Sequence, residues 1–139
     1  MILLDTNVIS EMMKKAPSPQ VIEWMDQQPG SELFISAVTV AEIIYGLKAL
    51  PAGNRRHFLE TAFNKVVQEA FEHRVLSFNE IAASYYGKIM SHRKALGRPL
   101  SILDGQIAAI ALAHGASLAT RNIKDFKDCK LELINPFIS

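Results

Sequence analysis

The chain begins Met1-Ile2-Leu3-Leu4-Asp5-Thr6-Asn7-Val8-Ile9-Ser10, and the fold turns on this stretch. Ile2, Leu3 and Leu4 run unbroken into an aspartate. A short continuous apolar run marks a strand buried on both faces, as in a parallel sheet covered by helices. Such a strand puts Asp5 at its carboxyl end, where open α/β sheets collect their ligands. A plainer role is also open to it: Asp5 or Asn7 can cap the following helix by accepting a backbone N–H bond.

Outward from there, strands and helices alternate. Val8, Ile9, Met12 and Met13 recur at helical spacing, and Pro17 and Pro19 stop that helix. Val21, Ile22, Trp24 and Met25 mark a second short helix closed by Pro29-Gly30. Leu33-Phe34-Ile35-Ser36 reads as a strand, and Val40, Ile43, Ile44 and Leu47 as the helix after it. A long amphipathic helix covers Phe58 to Ala70, and Val75 to Phe78 forms a strand. Asn79 caps a further helix, which Gly97-Arg98-Pro99 breaks. Ser101 to His114 is apolar nearly all round, the pattern of a buried helix, and Gly115 ends it. Ser117 to Thr120 and Leu131 to Ile134 are the last strands. The alternation predicts an α/β fold with a largely parallel sheet, and the absence of linkers or repeats predicts a single domain over residues 1–139.

Composition narrows the function. A formal net charge of +1 gives no overall electrostatic attraction for nucleic acid, so binding it would need a local basic patch or metal ions that offset the acids. Cys129 is the only cysteine, which excludes a disulfide framework and a thiolate metal cluster and fits a reducing cytoplasm. The four histidines form no HxxxH or HExxH pair, so a histidine-ligated zinc site has no support. The longest apolar run, Ile107 to Ala113, is too short to span a bilayer.

The carboxylates then stand out. Glu42 completes a possible capping box, Thr39-Val40-Ala41-Glu42, yet its neighbours are apolar, and carboxylates half buried among apolar groups need partners. Asp104 likewise closes Ser101-Ile102-Leu103-Asp104 at the start of the most apolar segment. Thr120-Arg121-Asn122-Ile123-Lys124-Asp125 follows a buried strand, with Asn122 placed to cap and Asp125 to sit in a first helical turn, or both to ligate. Each cluster falls at a strand end or helix start, positions that share one edge of a parallel sheet. Asp5, Glu42, Asp104 and Asp125 would converge there, and close carboxylates call for a compensating cation. All-oxygen ligands suit Mg²⁺ or Mn²⁺, and the chemistry such sites perform is phosphoryl transfer.

The chain resembles PIN-domain ribonucleases, in particular the VapC/FitB-type toxins of bacterial toxin–antitoxin pairs. The resemblance rests on Ile2 to Asn7, on Ser36 to Glu42 with Tyr45-Gly46, on Asp104 to Ala109, on Thr120-Arg121-Asn122, and on Asn135-Pro136-Phe137. It implies an α/β/α sandwich with a mainly parallel central sheet, a homodimer, and Mg²⁺- or Mn²⁺-dependent cleavage of RNA. It also implies a cognate antitoxin through which operator DNA is bound indirectly. Carried over by position, Asp5, Glu42 and Asp104 form the acidic core, and Thr6, Asn7 and Thr120 orient it. The chain departs from many relatives in having Asn122, not an aspartate, at the fourth acidic position, with Asp125 three residues later. An amide oxygen can ligate an ion or a water but adds no negative charge. Arg121, Arg98, Lys94 and Arg93 stand close to the last two motifs and could meet RNA phosphates or serve as solvated surface charge. Two other readings compete. A dehalogenase-type phosphatase needs a second aspartate two positions after Asp5, where this chain has Asn7. A catalytically weak PIN-like module would bind RNA or a protein or DNA-regulatory partner, and Asn122 is its support.

Overall fold

The computed structural model describes residues 1–138. Five short strands, β1 (Ile2–Leu4), β2 (Leu33–Ser36), β3 (Val75–Leu76), β4 (Ser117–Ala119) and β5 (Leu133–Ile134), form one sheet. Its order is β3-β2-β1-β4-β5, and every neighbouring pair is parallel. β1 lies in the centre because its residues are apolar on both sides. Leu3 packs into one core layer with Leu118, while Leu4 packs into the other with Ile35 and Ala119, as the two-residue period of a strand requires. Leu3, Leu4, Ile35 and Leu118 are fully buried, each contributing roughly 2 kcal/mol of apolar burial.

Helices cover both faces. On one side lie α1 (Thr6–Met12), α2 (Pro19–Gln27), α3 (Ala37–Lys48) and α4 (Asn54–Lys65), which place Val8, Ile9, Val21, Ile43, Leu47 and Phe63 in the core. On the other lie α5 (Glu80–Ala95) and α6 (Ile102–Ala113), with Ala82, Ile89, Ile107 and Ile110 buried. This is the expected α/β/α sandwich. Asn79 caps α5 by accepting the Ala82 N–H at 3.0 Å, and Gly115, at φ 64°, ends α6. Gly105 lets α6 lie close to α5: a Cβ there would come within 2.5 Å of Met90 Sδ and 3.1 Å of Tyr86 Cε2 on α5, and the Met90 side chain would have to shift. The close approach of these two helices seats Asp104 beside the sheet edge.

The structure departs from the sequence pattern in several places. Pro19 opens α2 at its first turn, where a missing N–H costs nothing, and α1 has already ended at Met12. The long helix breaks regularity at Val66–Ala70, which is one π turn. The outer strands are shorter than their apolar runs, since β3 and β5 each pair through only two residues. The first turn of α6 is not buried: Ile102 is 63% and Leu103 43% exposed.

Topology selects one edge. From β1 the sheet grows to β2 on one side and β4 on the other, which makes the carboxyl end of β1 a switch point, the usual crevice for ligands in such sheets. The register sets Leu4 opposite Ile35 and Ala119. Asp5, Ser36 and Thr120, one residue later in each case, therefore stand side by side.

Candidate active site

Asp5 is 4% exposed and ends β1 with its backbone N–H donated to Ala119 O at 2.9 Å. Its Oδ1 accepts the Thr6 N–H at 2.8 Å. Its Oδ2 accepts from Thr120 Oγ1 at 2.7 Å and from Asn7 Nδ2 at 3.2 Å. The cap and the candidate site are thus one residue: Asp5 is the N-cap of α1 and also the deepest carboxylate of the cleft. Burial raises its pKa from 3.8 to about 6, outweighing the Thr120 and Thr6 hydrogen bonds that lower it. The charges of Asp104 and Glu42 add to the rise, as like charges close to a carboxylate do.

Glu42 is not the cap of its helix. β2 runs straight into α3, and Ser36 is the N-cap, its Oγ accepting the Thr39 N–H at 3.0 Å. That leaves Glu42 a turn further on, where Oε1 accepts from Thr6 Oγ1 at 2.9 Å. Thr6 Oγ1 also lies 3.0 Å from Thr39 Oγ1, which in turn accepts from Ser36 Oγ at 3.2 Å. At Asp104 the cap exists in part, with Ser101 Oγ accepting the Asp104 N–H at 3.2 Å. The side chain is half buried, and burial raises its pKa, against a Ser101 hydrogen bond that lowers it.

Asn7 and Thr120 knit the last motif to this centre. Asn7 Oδ1 accepts the Arg121 N–H at 3.2 Å, and Thr120 Oγ1 accepts the Asn122 N–H at 3.0 Å. A cleft of about 400 Å³ is lined by Asp5, Thr6, Asn7, Ser10, Glu11, Lys14, Glu42, Asp104, Arg121 and Asn122. Asp125 is exposed and lies outside this lining, in a 3₁₀ turn (Ile123–Phe126) that Asn122 precedes without a side-chain cap. Its charge still raises the Asp104 pKa. Arg98 is paired with Asp128 away from the cleft, and Lys94 does not line it either. Arg93 is 4% exposed and donates to the Asp125 and Lys127 carbonyls, so it faces the protein and not a ligand. Of the four basic residues singled out in the sequence, Arg121 alone reaches the cleft wall.

Five lining or supporting residues were not singled out as site residues in the sequence: Ser10, Glu11, Lys14, Ser36 and Thr39. Ser36 and Thr39 are fully buried and look like ordinary strand-end and helix-start residues. Asn7, Glu11 and Lys14, however, are spaced i, i+4, i+7, a polar stripe beside the apolar Val8-Ile9 face of α1.

The donor set suits a hard cation. The cleft offers carboxylate, amide and hydroxyl oxygens and no imidazole or thiolate. Among the described residues, no three acidic, histidine or cysteine side chains are grouped closely enough to hold an ion unaided.

A central parallel sheet with an acidic cleft at its switch point, Asp5 buried at its floor, defines an α/β domain of the switch-point type. Residues 2–130 match the PIN domain, and the chain belongs to this family. It is 43% identical over 137 residues to VapC ribonuclease Y4jK of Sinorhizobium fredii, covering 99% of this chain and 98% of that one. It is 36% identical to toxin FitB of Neisseria gonorrhoeae, with 99% of each chain covered. Its fold superposes with a TM-score of 0.94 on a chain of the solved structure of FitAB bound to an IR36 DNA fragment, at 35% identity, covering 100% of this chain and 97% of that one.

Proposed function

We propose that this chain is a Mg²⁺- or Mn²⁺-dependent endoribonuclease and the toxin of a toxin–antitoxin pair, with residues 1–139 acting as one catalytic domain in the cytoplasm. The observation that carries the reading is the buried Asp5: three donors fix its orientation, its pKa is pushed to about 6, and it shares a cleft with Glu42 and Asp104. A carboxylate so placed is stabilised as an anion when a cation arrives. The names of the relatives, a VapC ribonuclease and a FitB toxin, agree with it. FitAB bound to DNA supports a cognate antitoxin that carries operator binding, and the family resemblance supports a homodimer.

Asp5 and Asp104 would hold the ion. When bound, it would neutralise charge on the phosphate and lower the pKa of an attacking water. The chain's own residues do the positioning. Thr6, Thr120 and Asn7 hold the Asp5 carboxylate in one orientation. Thr6 engages Glu42 Oε1, which leaves Oε2 to orient the water and take its proton. In-line attack on the phosphodiester then leaves a 5′-phosphate and a 3′-hydroxyl.

A second reading, a PIN-like module that binds RNA or a partner without cutting, is favoured by one feature: Asn122 supplies no charge where a fourth acid would stand. Calorimetric titration with Mn²⁺ separates the two. The nuclease takes up Mn²⁺ and loses that affinity in Asp104→Asn, whereas the binding module responds to neither.

A further inference from the structure

The motif Asn135-Pro136-Phe137 takes no part in the chemistry above, yet its ring meets Arg121 on the cleft wall. The Arg121 guanidinium carbon lies 4.0 Å from the centroid of the Phe137 ring, a stacking distance. Phe137 is itself secured: its N–H donates to Asn135 Oδ1 at 2.9 Å, and the ring packs against the core layer beneath α1 to α4. Arg121 is held at two further points. Its backbone N–H donates to Asn7, and its Nη2 stands 3.6 Å from Glu11 Oε1. Glu11 has a side chain only 6% exposed and accepts from Lys14 Nζ at 2.9 Å and from the Ser18 N–H at 3.0 Å. These bonds, the Lys14 one foremost, hold its carboxyl below the usual range. A buried carboxylate thus keeps two cations on one wall of the cleft that contains Asp5.

A solvated surface arginine needs none of this support. Among the described residues the Arg121 guanidinium makes no hydrogen bond, and its side chain is 53% exposed. The ring contact and the Glu11 carboxylate restrict where the guanidinium can sit, while half of the side chain stays open to a ligand, and its donors suit phosphate oxygens. The cost of ordering the side chain is already met before a ligand arrives.

We propose that Lys14 and Arg121, positioned by Glu11 and Phe137, bind one backbone phosphate of an RNA strand, next to the phosphate that is cut. This rests on the nuclease reading for the identity of the strand. The carboxylate wall repels phosphate unless a cation is bound, so this basic pair supplies affinity that does not depend on metal.

The test is binding of a labelled mixed-sequence single-stranded RNA to the full chain in chelator, across a salt series. The Arg121→Ala/Lys14→Ala double variant flattens the slope of log affinity against log salt by about 0.7, each single variant by part of that, and each single variant weakens binding about fivefold at about 0.1 M salt. Phe137→Leu changes no charge, yet falls toward the Arg121→Ala values, while Phe137→Trp keeps the ring and the parent values. Melting curves confirm that the variants fold. Phe137→Leu with parent affinity and slope overturns the positioned site in favour of diffuse charge. Parent values in all variants overturn it outright and leave the two cations to an acidic group of a protein partner. Manganese-dependent cleavage of total RNA by the parent protein, read in the same preparation, separates the two claims. Cleavage with unaltered slopes refutes the phosphate site alone, and altered slopes without cleavage refute the nuclease reading alone.

Discussion

Thr39 Oγ1 donates its proton to Thr6 Oγ1 across 3.0 Å, and the direction is forced. Thr6 has one hydroxyl proton and gives it to Glu42 Oε1, while Thr39 already accepts from Ser36 Oγ. Three hydroxyls from β2, α3 and α1 therefore point their protons the same way, toward one carboxylate. Thr39→Val keeps the shape of this fully buried side chain and cuts the chain of donors. Turnover is expected to fall about fivefold, equivalent to about 1 kcal/mol of barrier, with KM unchanged. Thr39→Ser should restore it. A valine variant with the parent's kcat would show that the hydroxyls do not position Glu42.

The Asp5 pKa makes apo-protein stability depend on pH. The folded protein holds this proton to about pH 6, whereas the unfolded chain loses it near 3.8. Between those values the folded state binds more protons, so this contribution is full below 3.8 and is lost as pH rises through about 6. The loss amounts to about 3 kcal/mol by neutral pH. Thermal unfolding without metal, at pH 5 and pH 7.5, captures the part lost above pH 5, about 1.4 kcal/mol, with Asp5→Asn as the comparison. The parent should lose more stability over that interval than the variant does. Equal pH dependence would contradict the assignment. Glu11, whose pKa is lowered mainly by Lys14, works in the opposite sense at acid pH, and it cancels in the comparison.

Metal uptake should run the other way. A cation competes with the Asp5 proton, so Mn²⁺ affinity should rise as pH climbs through about 6, and binding should release a proton. Saturating Mn²⁺ at about a hundred times its Kd would stabilise the fold by about 2.7 kcal/mol. A melting-temperature rise that vanishes in chelator and in Asp104→Asn would show this independently of turnover. Chelator should also abolish cleavage.

The centre of the fold was legible because β1 is apolar on both faces and ends in Asp5, and because each later strand repeats that arrangement. Strand lengths at the sheet margins were not, since β3 and β5 are set by how many partners they find. The cap assignments show the same limit. Thr39-Val40-Ala41-Glu42 fits a capping box, but the helix begins three residues earlier at Ser36, and only the register of β2 against β1 reveals that. The exposed first turn of α6 was hidden because composition does not say where a helix leaves the core. In the cleft, the acids were visible as strand-end carboxylates. Of the basic wall, Arg121 was visible beside the last motif, but Lys14 and the Arg121–Phe137 stack were not, because the ring reaches Arg121 from sixteen positions further along the chain.

The most direct measurement is end-mapping of total RNA treated with purified protein and Mn²⁺, beside Asp104→Asn and a chelator control. A few discrete new 5′-phosphate ends, absent from both controls, are expected. Antitoxin-free, metal-loaded protein that produces no new ends, or ends that persist in Asp104→Asn, would contradict a carboxylate-centred ribonuclease.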